Sequence, residues 1–309
     1  MVYADPFRFG PERGTGMSTI IIMTWKEMLR KRVMLLTLIM TLIFLLAFWF
    51  VARTIGMEFG NPNLDPGSME QLIDHYMQGA ITLILGFFFA SFVVAFLAIF
   101  SSVSVIAGEA EQGVLQALIP RPLTRKHFYL GRWIGYVSLG VGYAFLLFLT
   151  ILGVTEYHSS VPGSWVSLAK AFLLFASVVP LLVSIAMLGS CYMSAMGNGV
   201  FMTMLFGAGW LGGMLNKITS MGMFVQSEET LHMIGGLMDM AMPADALQRR
   251  MLAEMFSLQE MQPFTDLAPE SLGPFGFAGM PSNAFLLYAL GYLLLVLFLG
   301  VRAFRKKDL

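Results

Sequence analysis

The amino-acid sequence predicts an all-α polytopic membrane protein with six transmembrane helices. Three observations favour this class. Of the 309 residues, 57% are hydrophobic and only 12% are charged, and the mean hydropathy is +0.73. Several uncharged stretches reach the roughly 20 residues with which a helix crosses a hydrocarbon core of about 30 Å. The basic residues concentrate in alternate connections between these stretches. Because soluble domains carry about 25% charged residues, this composition excludes a soluble enzyme.

The predicted spans follow the uncharged stretches. The first is bounded by the basic run Arg30-Lys31-Arg32 and by Arg53. Residues 171–216 carry no charge over 46 positions, which is long enough for two helices, and the turn-prone segment 193–199 is the predicted break between them. The six predicted spans are about 33–52, 79–107, 131–154, 171–193, 199–216 and 284–302.

The basic residues predict the orientation. If both termini are cytoplasmic, 14 of the 19 Lys and Arg residues lie in cytoplasmic segments, as the positive-inside rule requires. We therefore expect an integral protein of a bacterial or archaeal inner membrane with both termini inside. Residues 1–16 are predicted to be a flexible tail, with Met17 as an alternative start, before a single domain at 17–309. Residues 19–32 alternate apolar and basic side chains, which predicts an interfacial elbow helix.

The connection between the second and third spans, residues 108–130, contains a further predicted helix. Val114, Leu115 and Leu118 fall on one helical face. Glu109 and Glu111 stand near its start, where the helix dipole favours anions. Two prolines follow it at positions 120 and 122 and end it. The pattern predicts a short amphipathic helix at the cytoplasmic surface; a basic anchor with no other role is the alternative.

This connection resembles the signature of ABC transporter permeases of the type-two exporter class. The shared features are an acidic pair, a glycine, a leucine-rich turn, a Pro-Leu-Thr-Arg run and a Gly-Arg pair at the third span, where the family usually has Gly-Lys. The matching positions are Glu109, Glu111, Gly113, Leu115, Leu118, Pro122, Leu123, Thr124, Arg125, Leu130, Gly131 and Arg132. The basic ending that closes in Asp308-Leu309 is also similar to the family's ending.

The resemblance implies that the helix in 108–130 is a coupling helix that docks on a separate ABC ATPase subunit. The chain itself has no G-x-x-x-x-G-K-[ST] phosphate-binding motif. We therefore expect a non-catalytic subunit that binds no cofactor, with ATP and Mg²⁺ on the ATPase, and a second permease copy, either identical or a close paralogue. The residues predicted to contact the ATPase are Glu109, Glu111, Gly113, Val114, Leu115, Leu118, Arg121, Pro122 and Arg125.

Residues 217–283 form a predicted extracytoplasmic loop that is too long to be a simple connector. Its segment Pro243-Ala-Asp-Ala-Leu-Gln-Arg249 resembles the Pro-x-Asp-x-x-x-Arg stretch of the permease of the nitrous oxide reductase maturation system. That resemblance implies that Asp245 and Arg249 contact an extracytoplasmic protein. Because the two residues are four positions apart, an ion pair along a helix is the alternative.

The same loop is rich in methionine. Met238, Met240 and Met242, with His232, are a weak candidate site for Cu(I), because soft thioether ligands suit that ion. Methionine also fills apolar helix faces, and the chain has 25 of them, so the prediction favours no metal. A net charge of zero gives no indication of a nucleic-acid partner.

These features bear on three possible functions. The first is the permease subunit of an ATP-driven exporter or extracytoplasmic maturation system. The second is a membrane anchor or scaffold that docks an extracytoplasmic partner, with copper handling as one option. An intramembrane enzyme is disfavoured, because the four histidines form no H-E-x-x-H motif.

The glycine pairs Gly131/Gly135 and Gly209/Gly213 predict close helix contacts.

Overall fold

The computed structural model describes residues 15–58, 68–108, 124–159, 164–220, 228–256 and 281–306, and these are helical apart from short turns and caps. Six of the described helices are long and apolar enough to cross a membrane, which confirms the all-α, six-span fold class. They are α2 (Arg32–Glu58), α3 (Met69–Ser102), α4 (Arg125–His158), α5 (Trp165–Tyr192), α6 (Ala195–Ser220) and α9 (Asn283–Lys306). Three shorter helices are α1 (Thr15–Arg30), α7 (Glu228–Ala241) and α8 (Ala244–Met255).

Side-chain caps set where several spans begin. The hydroxyls of Ser68, Thr124 and Ser164 accept hydrogen bonds from backbone N–H groups three residues ahead, at the starts of α3, α4 and α5. At the start of α6, the Ser194 hydroxyl likewise accepts a hydrogen bond from the backbone N–H of Gly197 at 3.2 Å. Helix α4 begins at Arg125, so residues 125–130, assigned to the connecting loop by the sequence, belong to the third span helix.

The two ends of the bundle are called the loop end and the hairpin end. The loop end is the one at which α3 and α4 connect to segment 109–123, which lies outside the described residues. Helices α7 and α8 lie toward the opposite hairpin end. Spans α3 and α5 are the most enclosed, whereas α2 and α9 leave most of their apolar side chains exposed. In lipid the hydrophobic effect does not drive helices together, so close packing at small residues matters for their association. Gly86 of α3, for example, lies directly against Phe48 and Ile151.

Helix α1 packs on the loop end of α4 through the glycine pair that the sequence singles out. A Cβ at Gly131 would lie 2.8 Å from Ile20, and a Cβ at Gly135 would lie 2.7 Å from Thr24. The indole of Trp25 donates to the Gly135 carbonyl at 3.1 Å. The close contact is as predicted, and its partner is the short N-terminal helix rather than another span.

The predicted extracytoplasmic loop differs from its expectation, because α7 and α8 pack inside the bundle. A Cβ at Gly209, eleven residues before the end of α6, would touch Met242. The Gln248 amide donates to the carbonyl of Phe87 at 3.1 Å, ten residues into the α3 span. At 1.5 Å per residue, Gly209 lies about 16 Å from the end of α6, and Phe87 lies about 15 Å from Met77, where the membrane-spanning part of α3 begins. The turn between α7 and α8 therefore lies inside the bundle. The two helices form a re-entrant hairpin. Their lengths alone do not indicate that they enter the bundle.

The α1–α4 contact yields a stability prediction. Substitution Gly135→Ala forces a methyl group against the fully buried Thr24 and should lower the unfolding free energy by about 1–3 kcal/mol, the usual cost of overpacking. Thermal unfolding of the purified chain in detergent measures the effect.

The matched control is Gly142→Ala on the same helix, where an added Cβ meets nothing within 4 Å. That variant should be as stable as the wild type or slightly more stable, because alanine is the better helix former by about 1 kcal/mol. Equal melting temperatures for the two variants would contradict the observed α1–α4 packing.

Candidate functional site

Most residues predicted to contact an ATPase lie in segment 109–123, outside the described residues: Glu109, Glu111, Gly113, Val114, Leu115, Leu118, Arg121 and Pro122. The structure does describe the attachments of this segment. On its N-terminal side, the Ser190 hydroxyl of α5 accepts hydrogen bonds from the backbone N–H groups of Ile106 at 3.1 Å and Ala107 at 2.9 Å. The chain entering the segment is therefore tied to the end of α5.

The C-terminal attachment is equally specific. Thr124 caps α4, and the guanidinium of Arg125 donates to the carbonyl of Arg305 on α9 at 3.2 Å. Arg125 is the one predicted ATPase contact that the described residues include, and here it joins two spans. Nearby, the buried Asn198 amide donates to the carbonyls of Val103 at 2.9 Å and Ala186 at 2.8 Å. Segment 109–123 thus lies between two anchored ends.

A charged cluster joins α1 to α4 beside these attachments. Glu27 pairs with Lys31 at 2.9 Å and with the guanidinium of Arg132. The ammonium group of Lys31 donates to the Tyr136 hydroxyl at 3.4 Å. Arg132, which occupies the signature position usually held by lysine, is thus directed at the elbow helix. We call Glu27, Lys31, Arg132 and Tyr136 the α1–α4 cluster.

The neighbours of Glu27 keep its carboxyl ionised. Burial raises the pKa of Glu27, but the positive charges of Arg132 and Lys31 outweigh burial and leave the pKa below its ordinary value. Burial lowers the pKa of Lys31, and the Tyr136 hydroxyl and the Glu27 carboxylate outweigh it and leave the pKa raised. Both groups are therefore charged at neutral pH.

A second charged group lies close to the turn of the re-entrant hairpin. Arg249 of α8 binds Asp245 at 3.0 Å and also pairs with Asp239 of α7. The Asn216 amide of α6 donates to Asp239 at 2.9 Å, and the charge of Lys217 acts on both aspartates. These five residues, the hairpin cluster, bring together two cations, two anions and an amide.

Glycines on the facing helices make room for this cluster. A Cβ at Gly213 of α6 would overlap the carboxylate of Asp245, and one at Gly235 of α7 would overlap the amide of Asn216. The side chains of Asp239 and Arg249 are each only 9% exposed. A buried ion pair is costly to break from one side, since the partner is left charged and unpaired. The cluster therefore fixes α7 and α8 to α6.

The other side of α8 is anchored by Arg250. Its guanidinium donates to the carbonyl of Pro281 at 2.9 Å, to Asn283 at 2.9 Å and to Glu254. At the tip of the hairpin, the hydroxyls of two α9 tyrosines donate to the last carbonyls of α7, Tyr288 to Met240 at 2.8 Å and Tyr292 to Ala241 at 3.1 Å. These donors satisfy carbonyls that the end of a helix leaves without partners.

The structure thus places the two predicted extracytoplasmic contacts, Asp245 and Arg249, in the alternative arrangement, an ion pair along a helix. Their side chains are only 11% and 9% exposed, so their direct role here is to hold the hairpin; contact with another protein stays a prediction.

The candidate copper ligands separate by helical spacing. Met238 and Met242 face α6, whereas Met240 and His232 are exposed. Within the described residues, no group of three or more His, Cys, Asp or Glu residues could hold a metal ion. A copper site stays a prediction without geometric support.

Sequence reasoning did not identify Glu27, Asn216, Lys217 or Asp239 as members of these clusters. The Asp245–Arg249 spacing was visible, because four residues make about one helical turn. Asp239 joins them only because the chain reverses between α7 and α8, and no periodicity encodes that reversal. Lys217 appeared to be at a span boundary, where a lysine needs no special explanation.

The α1–α4 cluster predicts a pH dependence. Since the folded-state pKa of Glu27 is below its ordinary value of 4.5, its stabilisation is present above that value and is lost as the pH falls through the folded-state pKa. Wild type should melt at a higher temperature than Glu27→Gln at pH 7, and the gap should narrow toward pH 4. Melting curves of both proteins across this range measure it; a gap that is constant with pH would contradict the ion pairing.

The hairpin cluster predicts a large loss of stability. Arg249→Met leaves two buried carboxylates without their guanidinium and should lower the unfolding free energy by about 3–5 kcal/mol. The control is Lys170→Met, whose side chain is 61% exposed and lies 3.8 Å from Glu254. It should cost less than about 1 kcal/mol. Comparable losses for the two variants in thermal unfolding would show that the cluster does not anchor the hairpin.

Comparison with models of protein families matches residues 19–309 to the family described as ABC-2 family transporter protein. A comparison with curated proteins finds no match. The family match covers every described helix except the first residues of α1, and it agrees with six apolar helices of spanning length. Members of this family are membrane subunits and are generally non-catalytic. The chain is an integral membrane protein and belongs to the ABC-2 family of transporter proteins.

Proposed function

We propose that this chain is the transmembrane permease subunit that couples ATP hydrolysis on a separate ATPase subunit to export or to extracytoplasmic maturation. The observation that carries the proposal is the double attachment of segment 109–123, which holds the predicted coupling helix. One end is bonded to Ser190 of α5, and the other is bonded through Arg125 to α9.

These attachments would convert a push on the segment into movement of spans. Because Ile106 and Ala107 donate to one hydroxyl on α5, a displacement of the segment acts on that helix at its end. On the other side, α4 continues from Thr124 without a break for 34 residues. A rigid helix of that length transmits an axial or tilting motion over about 50 Å.

The proposal assigns the chemistry to partners. ATP and Mg²⁺ are expected on the ATPase, since this chain has no phosphate-binding loop. A second permease copy would complete the assembly. The distribution of Lys and Arg supports an inner-membrane protein with the loop end in the cytoplasm, where the ATPase is.

The resemblance of residues 243–249 to the permease of the nitrous oxide reductase maturation system extends this proposal to extracytoplasmic maturation. Asp245 and Arg249 would then position the hairpin beneath a docked protein rather than touch it, since their side chains are only 11% and 9% exposed. A scaffold that docks such a protein and moves nothing is the competing function.

Charge reversal tests the coupling role. In a reconstituted complex of this chain with its ATPase, the double variant Glu109→Lys/Glu111→Lys should reduce ATP hydrolysis or its stimulation by cargo about tenfold or more, the effect of losing at least one charged contact. Size-exclusion chromatography and melting of the permease alone check that the variant folds.

The matched control is Glu229→Lys, which reverses an exposed carboxylate on α7, away from the loop end. It should leave hydrolysis and stimulation unchanged. Wild-type coupling in the double variant would refute the docking role and favour the scaffold, as would failure of any ATPase to bind the wild-type chain.

A further inference from the structure

A lipid-facing groove runs between α2 and α4 at the hairpin end of the bundle. Its volume is about 460 Å³, within the range of small-molecule sites. The lining residues are Trp49, Thr150, Gly153, Val154, Tyr157 and His158. Neither the ABC-2 family assignment nor the proposed coupling role uses this groove.

The two helices touch above the groove and are spaced apart along it. At the top, an added Cβ on Gly56 of α2 would lie 2.8 Å from the carbonyl oxygen of His158. The rings of Trp49 and His158 meet edge to face, with centroids 5.7 Å apart. Lower down, Gly153 has nothing within 4 Å of an added Cβ. The groove is closed toward the helix ends and open to the side.

The back of the groove is solid protein. Phe48 of α2 and Ile151 of α4 are both buried, and both lie against Gly86 of α3. An occupant can therefore enter only from the bilayer side.

The polarity of the groove follows the polarity of a phospholipid. Arg53 lies at its mouth, 5.7 Å from the centre of the Trp49 ring and four residues before the end of the α2 span. Thr150 lies eight residues before the end of α4, about 12 Å from that end. The Arg53 guanidinium and the aromatic rings thus lie at the level of the lipid headgroups. The part of the groove along Gly153 extends to the level of the acyl chains.

Arg53 is an exception among the basic residues, most of which lie in predicted cytoplasmic segments. Its side chain is exposed, and the described part of the chain offers it a ring contact but no ion pair. A guanidinium in this position presents its donors to the surface of the bilayer, where lipid phosphates are the abundant anions. Arginine binds phosphate with charge-assisted hydrogen bonds.

We propose that this groove binds one phospholipid of the surrounding bilayer. Its phosphate pairs with Arg53, its headgroup region lies against Tyr157 and His158, and one acyl chain lies along Gly153 toward Thr150. The lipid fills the space between α2 and α4. It thereby supports α2, a span whose side chains are otherwise little buried by protein.

Native mass spectrometry of the full-length chain, after a delipidating detergent wash, tests the proposal. Wild type should retain one phospholipid per chain. Gly153→Leu fills the groove and should abolish retention. Arg53→Gln, on an exposed side chain that folding does not need, should reduce the retained fraction about tenfold, the factor for one lost charge-assisted hydrogen bond.

The matched control is Gly142→Leu, because Gly142 is eleven residues, or three turns, before Gly153 on the same face of α4, and an added Cβ there also meets nothing within 4 Å. It should retain lipid like wild type. Loss of lipid from every protein in the wash, or equal retention by the Gly153 and Gly142 variants, would show only non-specific annular lipid and overturn the proposal. Melting curves in detergent confirm that each variant is folded.

Discussion

A hydrocarbon interior offers no water to peptide groups, so every backbone N–H and C=O at that depth needs a partner within the protein. The six spans meet this requirement with their own helical bonds. The re-entrant hairpin does not, because α7 ends and α8 begins inside the bundle. Its last α7 carbonyls receive the hydroxyls of Tyr288 and Tyr292, and Gln248 ties α8 to the backbone of α3. The path of the hairpin depends on these hydrogen bonds, which join it to two different spans, α9 and α3.

Charges inside the bundle obey a related constraint, since an isolated ion is costly to bury. The hairpin cluster combines two cations with two anions, and glycines on α6 and α7 provide its space. At the loop end, Glu27 offsets the charge of Arg132 and Lys31. Both clusters join a short helix to a span. The short elements of the fold are thus attached by charged contacts as well as by close packing on glycines of the spans.

These attachments determine how motion would be transmitted in the proposed coupling. A displacement of segment 109–123 would act on α5 and α9 through hydrogen bonds. A displacement of α4 would also move the elbow helix α1, because Arg132 pairs with Glu27. The hairpin, held to α6 by ions and to α9 by hydroxyls, would follow either helix at the far end of the bundle. The α2–α4 groove lies outside these connections, which is consistent with an occupant drawn from the bilayer rather than from the transport route.

The sequence by itself determined the class, the number of spans and where most of them lie, because hydrophobic length and the scarcity of charge are properties of composition along the chain. It also indicated the Asp245–Arg249 pair and the glycine pairs Gly131/Gly135 and Gly209/Gly213, since each pair is spaced by four residues along one helix. Only the tertiary structure decided that residues 228–255 turn back into the bundle, and that Asp239 meets both Asn216 and Arg249 there. Those contacts join residues on different helices across a chain reversal. Their energy depends on burial and facing glycines, neither of which has a period that a linear pattern can show.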